Sequence, residues 1–83
     1  MAEKIKVLYF AHARDAAGKQ VETVALEEPI TAGELLTRLV ESHPKLRQLR
    51  PSLRLSVNRE LADEGLRLRD GDEVAILPPV AGG

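Results

Sequence analysis

The last two residues of the sequence, Gly82 and Gly83, carry the group with the clearest chemical use in this chain, a glycine carboxylate. Glycine has no Cβ, so an extended Gly-Gly segment fits in a channel too narrow for side chains. The carboxylate at its end is an unhindered acyl group that another protein's active site can activate for nucleophilic exchange. Because chain ends fray and Gly-Gly endings also occur in solubilising tails, the dipeptide needs support from the residues before it.

The segment before the glycines reads as a strand followed by a stiff spacer. Residues 70–72, Asp-Gly-Asp, are a turn signal, and residues 73–77 have the composition of a strand. Two prolines then prevent further ladder pairing and hold the chain extended. We therefore expect one domain over residues 1–77 and a tail over residues 78–83. The tail residues expected to lie in a partner's channel are Pro78, Pro79, Val80, Ala81 and Gly82.

Length and composition restrict the class of protein. Eighty-three residues make one small domain, and 43% hydrophobic and 30% charged residues are ordinary globular values. The net charge of -1 argues against a nucleic-acid binder. The absence of cysteine excludes disulfides and cysteine-based metal sites. The sequence has no apolar run of transmembrane length, so we expect a cytoplasmic protein that does not bind membranes.

Other residues with chemical potential are isolated. His12 and His43 are far apart and lack neighbouring ligands, so we expect no metal site. No P-loop or Rossmann glycine pattern occurs. Arg47, Arg50 and Arg54 form the densest basic cluster, but one Tyr and one Phe provide no stacking platform for nucleic acid. The cluster is interpreted as a solvated or partner-facing basic edge.

The elements that position the tail follow from periodicity and turn signals. Strands are predicted over residues 5–10 and 21–26, joined as a hairpin by a long loop in which Gly18 adopts positive φ. Capping-box spacing between Thr31 and Glu34 predicts a helix from Thr31 to about Ser42, which ends before Pro44. A basic connector follows, with room for a short helical turn. Further strands are predicted over residues 53–58, near 66–68, and up to residue 77.

This order of elements predicts an α+β protein with the β-grasp, or ubiquitin-like, fold. We expect a mixed sheet of four to five strands with one main helix packed on one face. The first and last strands are expected to lie adjacent and parallel at the centre of the sheet, because the helix and loops between them supply the required crossover.

Strand alternation predicts an apolar patch on the uncovered face of the sheet. If Lys6 and Glu73 face water, Phe10 and Leu77 lie on the side away from the helix, near the start of the tail. Leu61 is placed to join them. An exposed apolar patch usually marks a partner site. The alternative is that a loop or the outer ends of strands cover these side chains.

Three parts of the sequence resemble a known family. They are residues 7–11 followed by Arg14, the Val-Asn pair at 57–58 with Glu60, and the block over residues 70–83. Together they are similar to the small, sulfur-carrying subunits of molybdopterin synthase, and the similarity runs essentially end to end. The C-terminal block is its most specific part.

The resemblance implies a cycle of reactions at Gly83. A ubiquitin-activating-type enzyme would adenylate the carboxylate with ATP and magnesium, and a sulfur donor would convert it to a thiocarboxylate. The tail would then enter the large catalytic subunit and give sulfur to cyclic pyranopterin monophosphate. By the same resemblance this chain binds no cofactor and is not an enzyme on its own. Its implied partner-interface residues are Phe10, Arg14, Leu61 and Leu77.

Other functions share the same tail. A sulfur carrier for thiamine synthesis or transfer-RNA thiolation would differ only in the final acceptor. A protein-conjugating modifier or a passive β-grasp interaction domain belongs to a different class. A modifier forms isopeptide bonds to lysines, whereas a dedicated carrier cycles between acid and thioacid.

Overall fold

The computed structural model describes residues 3–77, and the predictions for the tail lie outside this range. The described chain forms five strands: β1 (Glu3–Tyr9), β2 (Val21–Leu26), β3 (Arg54–Val57), β4 (Glu60–Leu61) and β5 (Glu73–Leu77). It has two α-helices, α1 (Ala11–Ala17) and α2 (Ala32–Ser42). Two short 3-10 helices, Pro44–Gln48 and Arg50–Ser52, link α2 to β3. None of the helices within residues 3–77 is long and apolar enough to cross a membrane.

The strands form one mixed sheet in the order β2-β1-β5-β3-β4. β1 and β5 are parallel neighbours at the centre, with Val7 opposite Val74, and the other pairs are antiparallel. The apolar residues of α2 are buried against one face. This arrangement confirms the predicted β-grasp fold, including the central pairing of the first and last strands.

The predicted main helix is confirmed with its cap. The Thr31 side chain accepts a hydrogen bond from the Glu34 backbone N–H (3.1 Å), and the Glu34 carboxylate accepts one from the Thr31 backbone N–H (3.0 Å). This reciprocal capping box satisfies two donors that a helix start leaves free. Hydrogen bonds from Thr31 lower the pKa of Glu34 below its usual value. At the other end, His43 caps the helix before Pro44.

The predicted long loop between β1 and β2 is wrong in part, because it contains α1. Four of the seven residues of α1 are alanine, the strongest helix former, and Ala13 and Ala17 are buried against the core. The helix ends at Gly18, whose φ of 77° is the left-handed conformation predicted for it. The antiparallel pairing of β1 with β2 is confirmed.

The strand predicted near residues 66–68 is also wrong. That segment makes a single isolated bridge, between Arg67 and Thr31, and the additional strand is β4 at residues 60–61. The segment instead satisfies backbone groups around the start of α2. The Leu66 carbonyl accepts from the Ala32 N–H (2.8 Å), and the Leu68 N–H donates to the Ile30 carbonyl (2.9 Å). Apolar composition alone did not distinguish this role from a strand.

The turn between β3 and β4 explains why an asparagine follows Val57. Asn58 and Arg59 both have positive φ, 53° and 72°, as a two-residue hairpin turn requires. The Asn58 side-chain amide donates to Asp72 Oδ1 (3.0 Å), and its oxygen accepts from the Glu73 N–H (3.0 Å). Asn58 therefore fixes the turn to the start of β5, the strand that leads to the tail.

Candidate partner-binding face

The face of the sheet opposite α2, called the open face below, carries a row of small and apolar side chains. Strand register aligns one residue from each strand across the whole sheet. The row consists of Val21, Leu8, Ala75, Ser56 and Leu61. Ala75 and Ser56 at its centre are each only 9% exposed, whereas Val21 and Leu61 at its ends are 50% and 72% exposed. The side chains of this row are therefore least exposed at the centre of the sheet and most exposed at its two edges.

Strand parity assigns the faces as the sequence predicted. Ile5, Val7 and Tyr9 are buried on the helix side, and so are Val74 and Ile76. Lys6 lies on the open face, where its Nζ is 3.9 Å from Glu73 Oε2.

Phe10 and Leu77 lie together at the end of the open face where the tail begins. The Phe10 backbone N–H donates to the Ile76 carbonyl (3.3 Å), so Phe10 is beside the end of β5. Its side chain is 45% exposed, and Leu77 is half-buried. The predicted exposure of Phe10 next to Leu77 is confirmed.

Arg14 and Leu61 extend this region in two directions. The Arg14 backbone N–H donates to the Phe10 carbonyl (3.3 Å), which places the exposed Arg14 one helical turn beyond Phe10 on α1. Leu61 lies on β4, separated from β5 by β3, or about 10 Å across the sheet. The structure thus places Phe10, Leu77 and Arg14 close together and sets Leu61 at the far edge of the same face. The role of all four in partner binding stays a prediction.

Gly83 and the other tail residues lie outside residues 3–77. The last described residue, Leu77, pairs with Arg54 in the register of β5 with β3. The chain therefore continues into its tail from the end of the domain that carries Phe10 and α1.

Comparison of the sequence with known proteins shows the family to which the chain belongs. The sequence profile of the ThiS family matches residues 7–83. The chain belongs to the ThiS family. It is 38% identical to a molybdopterin synthase sulfur carrier subunit of Chlamydomonas reinhardtii, with 96% of this chain and 99% of that protein covered. It is 35% identical to a protein of the same name from Homo sapiens, with 96% and 94% covered.

The fold of this chain is also similar to a solved structure whose name is not that of a sulfur carrier subunit. Small archaeal modifier protein 1 from Methanosarcina acetivorans superposes with a TM-score of 0.80 at 29% identity, covering 100% of this chain and 99% of that one. The resemblance to sulfur-carrier subunits stated from sequence is confirmed by the relatives, and the β-grasp fold by the structural neighbour.

Two exposed residues of this ThiS-family chain were missed from sequence. Val21 belongs to the open face because β2 pairs with β1 with Val21 opposite Leu8. Alternation along β2 would have indicated this once the hairpin register was known. Leu66 is 44% exposed and lines a groove of about 400 Å³ with Leu61 and Val57. Leu66 lies in a segment without helix or strand, so no alternation of apolar and polar residues predicted that its side chain would be exposed.

The opposite face of the sheet contains a polar network that sequence reasoning also missed. Glu22 Oε1 accepts from the Tyr9 hydroxyl (2.7 Å) and lies 2.9 Å from His43 Nε2. The Tyr9 and His43 rings meet edge to face, with centroids 5.8 Å apart. Lys19 Nζ is 3.9 Å from the second Glu22 oxygen. The network joins β1, β2 and the end of α2.

The contacts in this network keep Tyr9 neutral and Glu22 ionised. Burial raises the pKa of the Tyr9 hydroxyl far above its usual value, and its hydrogen bond to Glu22 raises it further. Burial also acts to raise the pKa of Glu22, but hydrogen bonds from His43 and Tyr9 and the charges of His43 and Lys19 outweigh it, so that this pKa is lowered. Glu22 is therefore held ionised. Over residues 3–77 no cluster of three or more His, Asp or Glu side chains could hold a metal ion.

Proposed function

We propose that this chain is a sulfur carrier in molybdenum cofactor biosynthesis, the small subunit of a molybdopterin synthase. One observation carries the proposal. Sulfur-carrier subunits of that enzyme are similar to this chain over nearly the whole length of both partners, at 35–38% identity, and the ThiS-family match extends through the Gly-Gly end. The proposal therefore concerns the complete domain and its tail.

The chemistry belongs to the carboxylate of Gly83. An activating enzyme transfers AMP from ATP to this carboxylate and releases pyrophosphate, with magnesium bound by that enzyme. A sulfur donor then attacks the acyl carbon, displaces AMP and leaves a thiocarboxylate. Its sulfur is a better nucleophile near neutral pH than a carboxylate oxygen. In the synthase the sulfur attacks cyclic pyranopterin monophosphate while it is still bonded to the acyl carbon of Gly83. Water then cleaves the acyl–sulfur bond, which leaves the sulfur on the substrate and restores the carboxylate of this chain.

The role assigned to the domain is to present the tail. The exposed Phe10 and the half-buried Leu77 lie beside each other at the end of the domain where the tail begins, and an exposed apolar surface is typical of a partner site. We place the large catalytic subunit and the adenylating enzyme on this surface in turn, so that each receives the tail in its active site. The catalytic acids and bases then come from those partners, and this chain is not an enzyme on its own.

Intact-mass analysis tests the proposal. The purified chain is incubated with ATP, magnesium, the activating enzyme of the same organism and a sulfide source. We expect a mass increase equal to the difference between a sulfur and an oxygen atom, and no increase in a variant lacking Gly83. Addition of the large subunit and cyclic pyranopterin monophosphate should return the original mass as molybdopterin forms. Sulfur transfer at the normal rate by the Gly83-deleted chain would contradict the mechanism.

A second candidate function is protein modification. The observation that favours it is the TM-score of 0.80 to small archaeal modifier protein 1 over 100% of this chain. A modifier would join Gly83 to lysine side chains through isopeptide bonds. Expression of a tagged chain in its own organism, followed by denaturing purification and peptide mass spectrometry, distinguishes the two functions. Because the last basic residue is Arg69, trypsin would leave residues 70–83 attached to a modified lysine. This remnant on lysines of other proteins supports modification, and thioacid without adducts supports the dedicated carrier.

A further inference from the structure

Ala11, the residue directly after Phe10, has a backbone conformation that residues with a Cβ rarely adopt. Its φ is 50°, in the left-handed region, where the Cβ of an L-residue crowds the backbone. Two other non-glycine residues of the described chain have positive φ, Asn58 and Arg59, and the tight turn between β3 and β4 requires it of them. Ala11 instead begins α1, where the chain leaves β1, so its conformation needs another explanation.

Contacts on both sides of Ala11 fix this conformation. Phe10 is still extended, with φ −123° and ψ 147°, and its N–H donates to the Ile76 carbonyl (3.3 Å). The Phe10 carbonyl accepts from the Ala13 and Arg14 N–H groups, at 3.0 and 3.3 Å. Backbone strain persists only where surrounding contacts hold it. Ala11 is thus held between the sheet and the first turn of α1.

The left-handed residue places the change of direction between β1 and α1 at one position. The chain is extended at Phe10, and three residues later Ala13 is fully buried in the core. The Phe10 side chain is 45% exposed at this change of direction, beside Leu77 and the start of the tail. The conformation of Ala11 therefore fixes the backbone on one side of Phe10, as the bond to Ile76 fixes it on the other.

Position 11 has an alanine, although glycine adopts the left-handed conformation without strain. At its other end α1 stops at such a glycine, Gly18, whose φ is 77°. Because glycine also reaches many conformations that alanine cannot reach, a glycine at position 11 would leave the backbone beside Phe10 less restricted. Ala11 is itself exposed and adds little to the core. The alanine therefore favours a fixed Phe10 over a relaxed connection.

We propose that Ala11 is a positioning residue, which holds Phe10 in the orientation that the large subunit of the synthase binds. The inference rests on the proposed function, in which that subunit contacts Phe10. A side chain whose backbone is fixed before contact loses less conformational freedom on binding, and preorganisation of this kind raises affinity. Ala11 acts through Phe10 and needs no contact of its own with the partner.

Two substitutions of similar size at position 11 test the proposal. Ala11→Asn keeps a residue that tolerates the left-handed region, whereas Ala11→Val introduces a β-branched residue that does not. The control is the same pair at Gly71, which has a φ of 87° and lies before β5, at the end of the sheet opposite to the tail. A Cβ on Gly71 meets no atom within 4 Å, so only the backbone conformation is tested there.

Titration calorimetry with the large subunit measures affinity, and chemical denaturation measures stability. We expect Ala11→Asn to bind within about twofold of the wild type. Ala11→Val should bind about tenfold more weakly, because valine drives the backbone out of the left-handed region and shifts Phe10. The two Gly71 variants should differ in stability but bind within about twofold of each other. If Ala11→Val does not fold, Ala11→Gly replaces it and should bind about threefold more weakly at undiminished stability.

A double-mutant cycle tests whether Ala11 acts through Phe10. In the Phe10→Ala background, Ala11→Val should weaken binding by less than about twofold further, because the side chain that it positions is gone. Equal weakening in both backgrounds would show that Ala11 acts without Phe10 and would overturn the proposal. Equal affinities of Ala11→Asn and the Val or Gly variant would also overturn it, as would a loss of affinity in Gly71→Val as large as that in Ala11→Val.

The wild-type titration distinguishes a failure of this inference from a failure of the proposed function. If the wild type does not bind the large subunit, the proposed function fails and the role of Ala11 fails with it. If the wild type binds and all position 11 variants bind equally well, the proposed function stands and only the role of Ala11 is wrong.

Discussion

Glu22 is the residue on which the polar contacts beneath the sheet converge. Its carboxylate receives hydrogen bonds from two other elements, the Tyr9 hydroxyl on β1 and the His43 ring at the end of α2. Because the side chain of Glu22 is 22% exposed, these bonds are partly shielded from water and are stronger than surface contacts. The residue therefore links sheet and helix at the end of the domain from which the tail departs.

The lowered pKa of Glu22 predicts a loss of stability in acid. Because its pKa is lower in the folded than in the unfolded chain, the ionised carboxylate contributes stability above the unfolded value of about 4.3. That contribution disappears as pH falls through the lower, folded pKa. We expect Glu22→Gln to reduce the free energy of unfolding at pH 7 by about 1 kcal/mol and to flatten its decline below about pH 4.5.

Urea denaturation between pH 7 and pH 3 measures this effect. Glu27→Gln, at an exposed position just after β2, is the matched control and should leave the wild-type profile unchanged. If Glu22→Gln declined in parallel with the wild type over the acid range, the carboxylate would not be the group responsible.

Phe10 and Leu77 are predicted to act in binding more than in folding. We expect Phe10→Ala or Leu77→Ala to weaken binding to the large subunit by about 1–4 kcal/mol, the range of central interface residues. Val74→Ala should instead cost about 2 kcal/mol of stability, because Val74 is fully buried under α2 and its truncation opens a cavity. Titration calorimetry and chemical denaturation separate the two effects. A large stability loss with unchanged affinity for Phe10→Ala would place Phe10 in the core.

At the scale of elements, the start of α2 depends on the segment that follows β4. The Gly33 N–H donates to the Glu64 carbonyl (2.8 Å), and the Ala32 N–H to the Leu66 carbonyl (2.8 Å). These contacts satisfy helix donors that have no partner within the helix. They also bring Glu64 so near that a Cβ on Gly33 would lie 2.8 Å from the Glu64 Cβ and 3.1 Å from its backbone oxygen.

Gly33→Ala is therefore expected to destabilise the protein, although alanine is the better helix former. The added methyl group forces the segment away from α2, and overpacking of this kind costs about 1–3 kcal/mol, more than the gain of up to about 1 kcal/mol in helix propensity. Gly65→Ala is the control, because a Cβ there meets no atom within 4 Å. Thermal melting compares the two. A melting temperature for Gly33→Ala at or above the wild type would show that the segment moves without cost.

At the scale of the whole molecule, the core is closed by the parallel pairing of β1 with β5. Among the described residues 3–77, the core runs from Ile5 to Ile76. The pairing joins segments that are almost the whole chain apart, and it positions the end of β5 beside Phe10. The fold thereby fixes the place from which the chain continues beyond Leu77.

The tail is predicted to be separable from the fold. Deletion of Gly83, or Gly82→Leu, should abolish sulfur transfer, in the first case by removing the reacting carboxylate and in the second by adding a side chain to a segment that must enter a narrow channel. The circular dichroism spectrum and the melting temperature should match the wild type. Ile76→Ala is the contrasting variant, expected to lose about 2–5 kcal/mol of stability because Ile76 is fully buried. A marked drop in melting temperature on deleting Gly83 would mean that the tail is part of the folded core.

Local signals in the sequence were sufficient for much of the architecture. The capping-box spacing of Thr31 and Glu34 set the start of α2, because the cap is made by residues three apart. Lys6 and Glu73 assigned the faces of the two central strands, because side chains alternate strictly along a strand. Gly71 marked the turn before β5 and has a φ of 87°. Phe10 and Leu77 could be placed on the open face for the same reason of strand alternation.

Tertiary structure decided what local signals could not. The Leu-Arg-Leu alternation near residues 66–68 predicted a strand, yet the backbone groups of this segment pair with residues around the start of α2, which are far away in sequence. Val21 joined the open face only through the register of β2 with β1. Glu22, His43 and Tyr9 are far apart in sequence but meet because three elements end at the same place. Sequence distance carries no information about which strand ends are neighbours, so these contacts could not be predicted from local signals.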